Sequence, residues 1–204
     1  MTEKELNNIL YEMSYNEYAD LLKTKYGLVP KDYFYVNKNG NLAKSSGITR
    51  GKDGLYIHHL YECYFLNLCD PEMYSIQCLI ADEKIKDAQK AENLVYCNLL
   101  EHLILHTKIA FEYNRGQEQV GINFITDDLN RLYELGDKKL IEKTYNAPNT
   151  LWKRKVYAII KDDYNIYVLL AKIIITELEI SKDLVCSNSF YNTIYKKLYK
   201  DVKI

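Results

Sequence analysis

This chain has little proline, three in 204 residues, and it contains no repeat or low-complexity tract. Those absences leave an ordinary globular protein with one core, or one small domain plus a helical extension. No run of eighteen apolar residues exists, so no membrane span is expected. The opening MTEKELNNILYEMS carries acidic residues and no apolar h-region, which does not fit a signal peptide. The five cysteines, at 63, 69, 78, 97 and 186, form no CxxC pair and are odd in number. Buried free thiols in a reducing cytoplasm are the expectation; a structural zinc on Cys63, Cys69 and Cys78 would lack the usual tight pairs. No HExxH signature is present, which argues against a small-molecule metallohydrolase.

Net charge is almost absent as well. The 27 Lys and Arg against 28 Asp and Glu leave −1, which argues against a protein wrapped in nucleic acid. The distribution is less even than the sum. Residues 138–204 hold 13 Lys and Arg against 7 Asp and Glu, a net of +6, whereas residues 1–137 hold 14 against 21, a net of −7. The basic third can meet phosphates, through Lys196, Lys197 and Lys200, or it can pair with the acidic part of its own chain or of a second copy. Tyrosine is in excess, with 20 residues. They read as amphipathic packing, with a few suited to base stacking.

Histidine is rare, four residues, and all four fall between Leu55 and Phe111. His58 and His59 are adjacent in the strand-like run Leu55–His59. Asn93 opens a second such run, to Cys97. His102 and His106 follow in a helical pattern over 98–113, four apart and so on one face. Three convergent imidazoles make a metal site, and a fourth beside them can act as a base. Adjacent strand residues point to opposite faces, so both members of the pair can serve one site only where the strand distorts. Glu62, three residues past His59, can orient an imidazole or join the metal shell. Glu101, next to His102, is a second acidic candidate for those surroundings.

This order, a His pair on a strand, then an asparagine, a short strand and a helix with HxxxH, resembles the HNH, or ββα-metal, endonuclease family. The resemblance covers about 57 of the 204 residues. The phrases YNEYADLLKTKYGLVPKDYF, GLYIHHLYE and NLVYCNLLEHLILH are similar to those of HNH-like proteins of low-GC bacteria and their phages. The resemblance implies that His58, His102 and His106 are metal ligands, that His59 is the general base, and that Asn93 fixes the loop and orients the base. It implies hydrolysis of nucleic-acid phosphodiester bonds, DNA before RNA, with one divalent metal ion (Zn, Ni, Mn or Mg). The stretch from His59 to Asn93 is longer than in compact members of the family. An HNH-like protein that keeps the metal without cutting, and inhibits a host or phage factor, is the competing expectation; the intact His59 argues against it.

The chain therefore reads as α+β and mostly helical, with two short strands and a helix embedded among further helices. Its segments are a helical 1–37, an HNH-like 38–114 with an insertion at 60–92, and a helical 115–204. Thr2 with Glu5, and Ser14 with Glu17, predict two capped helices; Tyr18, Leu21, Leu22 and Tyr26 stripe the second, and Gly27 ends it. Too few basic residues lie on the second helix for a helix-turn-helix. Tyr33 to Val36 predicts a strand, NKNGN a turn, and Asp53-Gly54 a hairpin into the His pair. Arg50 and Lys52, just before that pair, are solvated loop charges or phosphate contacts. Pro71 starts a short helix, and Ala81–Ala91 is helix-forming. Asn114-Arg115-Gly116 reads as a turn, and a helix from about Thr126 to Leu135 is capped by Thr126 or Asp127. The NAPNT segment, 146–150, is the clearest break. The wide apolar stripe from Trp152 to Leu178 predicts core or the surface of a homodimer, and Ser189–Val202 a last helix with a basic face.

Overall fold

Two reciprocal caps start the chain. In the computed structural model, which describes residues 1–80, 83–113 and 118–178, Thr2 caps helix α1 (Glu3–Asn7) and Ser14 caps α2 (Tyr15–Tyr26). In each, the cap hydroxyl accepts from the backbone N–H three residues on. The glutamate there, Glu5 or Glu17, accepts in turn from the N–H of the cap residue. Such a cap contributes about 1 kcal/mol. Between the two helices the chain widens into one π-helical turn, Asn8–Glu12. The buried Lys108 ammonium donates to the carbonyls of Ile9, Leu10 and Met13 around that turn and pairs with Glu112 at 3.0 Å. It thereby satisfies carbonyls that an α-helix would have bonded internally. Leu21, expected in the apolar stripe of α2, is instead 45% exposed.

Strands β1 (Phe34–Val36) and β2 (Leu42–Lys44) form a hairpin around the expected turn. Strand β3 (Tyr56–His59) finds its partner much later in the chain, in β4 (Leu94–Cys97), antiparallel, with His58 opposite Val95 and His59 opposite Leu94. Asp53-Gly54 therefore does not close a hairpin. Gly51–Asp53 is a 3₁₀ turn, and Gly54 leaves it in the left-handed region, φ +74°. A Cβ there would lie 2.9 Å from the Lys155 carbonyl on a helix described below, so the close approach also demands glycine.

The insertion supplies α3 (Pro71–Ile80) and one short turn of helix, α4 (Lys84–Asp87), less than the Ala81–Ala91 composition predicts. Helix α5 (Leu99–Tyr113) follows β4. Then come α6 (Glu118–Leu135), α7 (Lys138–Thr144), α8 (Trp152–Ile160) and α9 (Tyr164–Glu177). Three expectations change here. Thr126 is no cap: it sits inside α6 with its hydroxyl donating to the Ile122 carbonyl. Asp127 likewise lies within α6, and α7 has too weak an apolar pattern to be seen in the sequence. The Trp152–Leu178 stripe is not continuous, because a 3₁₀ turn at Lys161–Asp163 divides it. The 114–116 turn, the last helix at 189–202 and Lys196, Lys197 and Lys200 lie outside the described residues.

The architecture is mostly helical α+β with two small antiparallel strand pairs. Strand β4 alternates between two cores, as period two requires. Val95 and Cys97 join the larger core of α1, α2 and α5 to α9, while Leu94 and Tyr96 join a smaller one with Val29, Tyr33, Ile48, Leu68 and Ile85. The insertion and the segment around β1 together cover the second face of the β3–β4 ribbon. Among the described residues no helix is long and apolar enough to cross a membrane.

Candidate metal centre

The register of β3 on β4 decides where the histidine pair points. Residues opposite each other in an antiparallel pair share a face. His58, opposite Val95, turns toward α5, and His59, opposite Leu94, turns to the smaller core. The contacts agree. The His58 ring lies 5.2 Å from that of His102 and 5.0 Å from that of His106, centroid to centroid, whereas His59 packs edge-on against Tyr33 at 4.5 Å. Both rings of the pair are 0% exposed. The i, i+4 spacing on α5 brings His102 and His106 together, with their Nε2 atoms 3.2 Å apart.

Glu62 completes the group from the 3₁₀ turn Leu60–Cys63 that follows β3. One carboxylate oxygen lies 3.2 Å from His106 Nε2 and 3.5 Å from His58 Nδ1; the other lies 3.5 Å from His59 Nδ1. His58, Glu62, His102 and His106 each offer one ligand atom, and these atoms all lie within 4.8 Å of one another. Ligands held about 2.0–2.1 Å from a tetrahedral ion stand about 3.3 Å from each other, close to the 3.2 Å of His102–His106 and of Glu62–His106 and the 3.5 Å of Glu62–His58. Among the described residues, Nδ1 of His58 and Nδ1 of His102 are buried without a hydrogen-bond partner. Orphaned polar atoms are rare in native interiors; an ion on the cluster would take up Nδ1 of His58, whereas the His102 nitrogen that meets His106 is Nε2, not the orphaned Nδ1. The group can hold a metal ion.

Electrostatics favour the ligand forms. Burial holds His58 well below the ordinary imidazole range and pushes His102 down to about 3, so both rings are neutral with a free lone pair. Burial alone would raise the Glu62 carboxyl, but the surrounding His58, His106 and His59 outweigh it and keep the group ionised.

Other elements close over the cluster. A Cβ on Gly121 of α6 would come 2.6 Å from His106 Nδ1, so α6 lies on that ring only because residue 121 has no side chain. Tyr15 reaches His58 Nε2 at 2.7 Å from the start of α2. Tyr56, two residues before His58 on the same face, lies 5.9 Å from the His102 ring and 5.3 Å from Trp152.

The remaining expected residues are placed elsewhere. Asn93 donates from its side chain to the Asp87 carbonyl, which ties the end of the insertion to the entry of β4. Glu101 is not in the cluster. It accepts from the Asn98 backbone N–H at 2.8 Å, while Asn98 accepts from Glu101 N–H, and Lys25 pairs with it at 2.6 Å. It is the reciprocal partner of Asn98 in the capping box of α5, and the Asn-x-x-Glu spacing is a signal the sequence carried. Arg50 donates to Asp53 and to the Tyr26 carbonyl and lies over the Tyr96 ring. Lys52 is exposed on the same turn. Sequence reasoning missed Tyr15, Tyr33 and Gly121, because no local pattern marks them.

Comparison of the chain with protein-family models, curated proteins and solved structures finds no match.

Proposed function

We propose that this chain is a metal-dependent endonuclease of the HNH, or ββα-metal, type, which hydrolyses phosphodiester bonds of nucleic acid, with DNA as its substrate. One observation carries the reading: an antiparallel strand pair followed by a helix gathers His58, His102 and His106 at one point, with His59 joined to them through Glu62. His58, Glu62, His102 and His106 would hold the ion. Three imidazoles and one carboxylate suit Zn, Ni or Mn better than Mg, which prefers oxygen ligands. When bound, the ion would supply Lewis-acid stabilisation of the phosphate and of the leaving 3′ oxygen. His59 would take the proton of the attacking water. Glu62, facing His59 Nδ1, would accept from that N–H and leave Nε2 as the basic nitrogen. Asn93 holds the loop that enters β4 opposite His59.

A second reading has an observation of its own. Glu62 supplies a fourth protein donor, and four protein donors close a site in the manner of structural zinc. His59 is fully buried besides. On that reading the chain keeps a metal for its fold and acts by binding, as an inhibitor of a host or phage factor.

The deciding experiment incubates purified protein with plasmid DNA and with RNA in Zn, Ni, Mn and Mg, beside His59→Ala. Cleavage that falls ~10²–10⁴-fold in the variant at equal metal content is the enzyme's result. Full metal content without cleavage in any metal overturns it in favour of the binding protein.

A further inference from the structure

Tyr15 stands 43 residues before His58, outside the segment that bears the histidines. It is 1% exposed. Its hydroxyl lies 2.7 Å from His58 Nε2 and 3.2 Å from the Leu60 carbonyl. The Leu60 carbonyl can only accept; with the single hydroxyl proton directed there, the hydroxyl oxygen is left to accept from Nε2–H of His58. A neutral imidazole carries one proton, so Nδ1 then bears the lone pair. Nδ1 is the nitrogen that faces the Glu62 carboxylate at 3.5 Å, and among the described residues it has no hydrogen-bond partner.

We propose that Tyr15 is a positioning residue that selects the Nε2–H tautomer of His58, presenting Nδ1 to the metal through a His58–Tyr15–Leu60 relay. The proposal rests on reading the His58, Glu62, His102 and His106 cluster as a metal site. Ligating histidines characteristically have the other ring nitrogen fixed by such a partner, and loss of that partner typically costs 10–100-fold in metal affinity.

The start of α2 is held by the helix that carries His102 and His106. Lys108, two residues beyond His106, binds the Met13 carbonyl just before the Ser14 cap of α2. The Tyr15 ring stands edge-on to Tyr113 of α5 at 6.2 Å, interplanar angle 84°. The helix that bears His102 and His106 and the start of α2 are thus fastened at two points.

Tyr15→Phe keeps the ring and removes the relay. Two readouts test it. Long-range proton–nitrogen correlation spectra of metal-free wild type, labelled in histidine, give the His58 tautomer directly. Competition with a chromophoric chelator gives Zn and Co affinity of both proteins. The expected results are an Nε2–H His58 in wild type, mixed tautomers in Tyr15→Phe, and a 10–100-fold loss of Zn and Co affinity, with metal-free melting temperatures within a few degrees. An Nδ1–H tautomer in wild type overturns the proposal, and the spectrum decides this even where the variant does not fold. Unchanged metal affinity in a folded Tyr15→Phe also overturns it. Wild type that takes up neither metal refutes the metal site itself, a result distinct from both.

Discussion

One carboxylate oxygen of Glu62 lies 3.5 Å from Nδ1 of His59, on the far side of strand β3 from His58 and His106, which its other oxygen meets. The strand itself does not distort to bring both histidines to one site. His58 and His59 keep opposite faces, as a pleated strand dictates, and a side chain from the next turn joins them.

Glu62→Gln tests that bridge. The amide keeps the shape but loses the charge, and its nitrogen cannot ligate. Metal affinity should fall by about 10-fold or more, as for loss of other groups that hold a metal shell together. Elemental analysis after dialysis against a weak chelator checks it. Equal metal content in variant and wild type would place Glu62 outside the shell.

Gly121→Ala tests the roof. The new methyl would sit 2.6 Å from Nδ1 and 2.7 Å from Cε1 of His106, both far inside contact distance. Either α6 or the His106 ring must shift. Overpacking of this kind typically costs about 1–3 kcal/mol, and metal binding should weaken with it. A variant as stable as wild type, with undiminished metal affinity, would show that α6 does not rest on His106.

Glu101→Ala separates a cap from a metal neighbour. The substitution removes the acceptor for Asn98 N–H and leaves Lys25 without its 2.6 Å partner. Stability should drop by about 0.5–2 kcal/mol in denaturant titration, while metal affinity stays within a few-fold. A large loss of metal at unchanged stability would return Glu101 to the site.

The metal-free protein should lose stability on acidification. The unfolded chain protonates histidine near pH 6.5, whereas folded His102 does so only at about 3. Across that window the unfolded state binds the extra proton, so stability is full above pH 6.5 and falls as pH falls toward 3. Melting temperatures in chelator at pH 7, 6 and 5 should descend, and His102→Gln should flatten the descent. A rise from pH 7 to 5 would contradict a neutral buried His102.

The sequence alone determined what neighbours in the chain can settle. Thr2 with Glu5 and Ser14 with Glu17 meet within one turn, so their boxes follow from spacing alone. His102 and His106 share a face because 3.6 residues make a turn, and the strand character of Tyr56–His59 and Leu94–Cys97 follows from composition, although Asn93, expected to open the second run, ends a 3₁₀ turn just before it. The packing of distant segments was legible only in the tertiary structure. Pairing of β3 with β4 across the insertion sets which face each histidine takes, and no local dihedral preference encodes that register. Tyr15 meets His58, and Gly121 meets His106, because helices from elsewhere in the chain dock on α5. Glu101 had an ordinary local signature, yet its closeness to His102 in sequence misled, since adjacent helix residues diverge by about 100°. Docking depends on the summed burial of two cores, a property of the whole chain that no short window of residues carries.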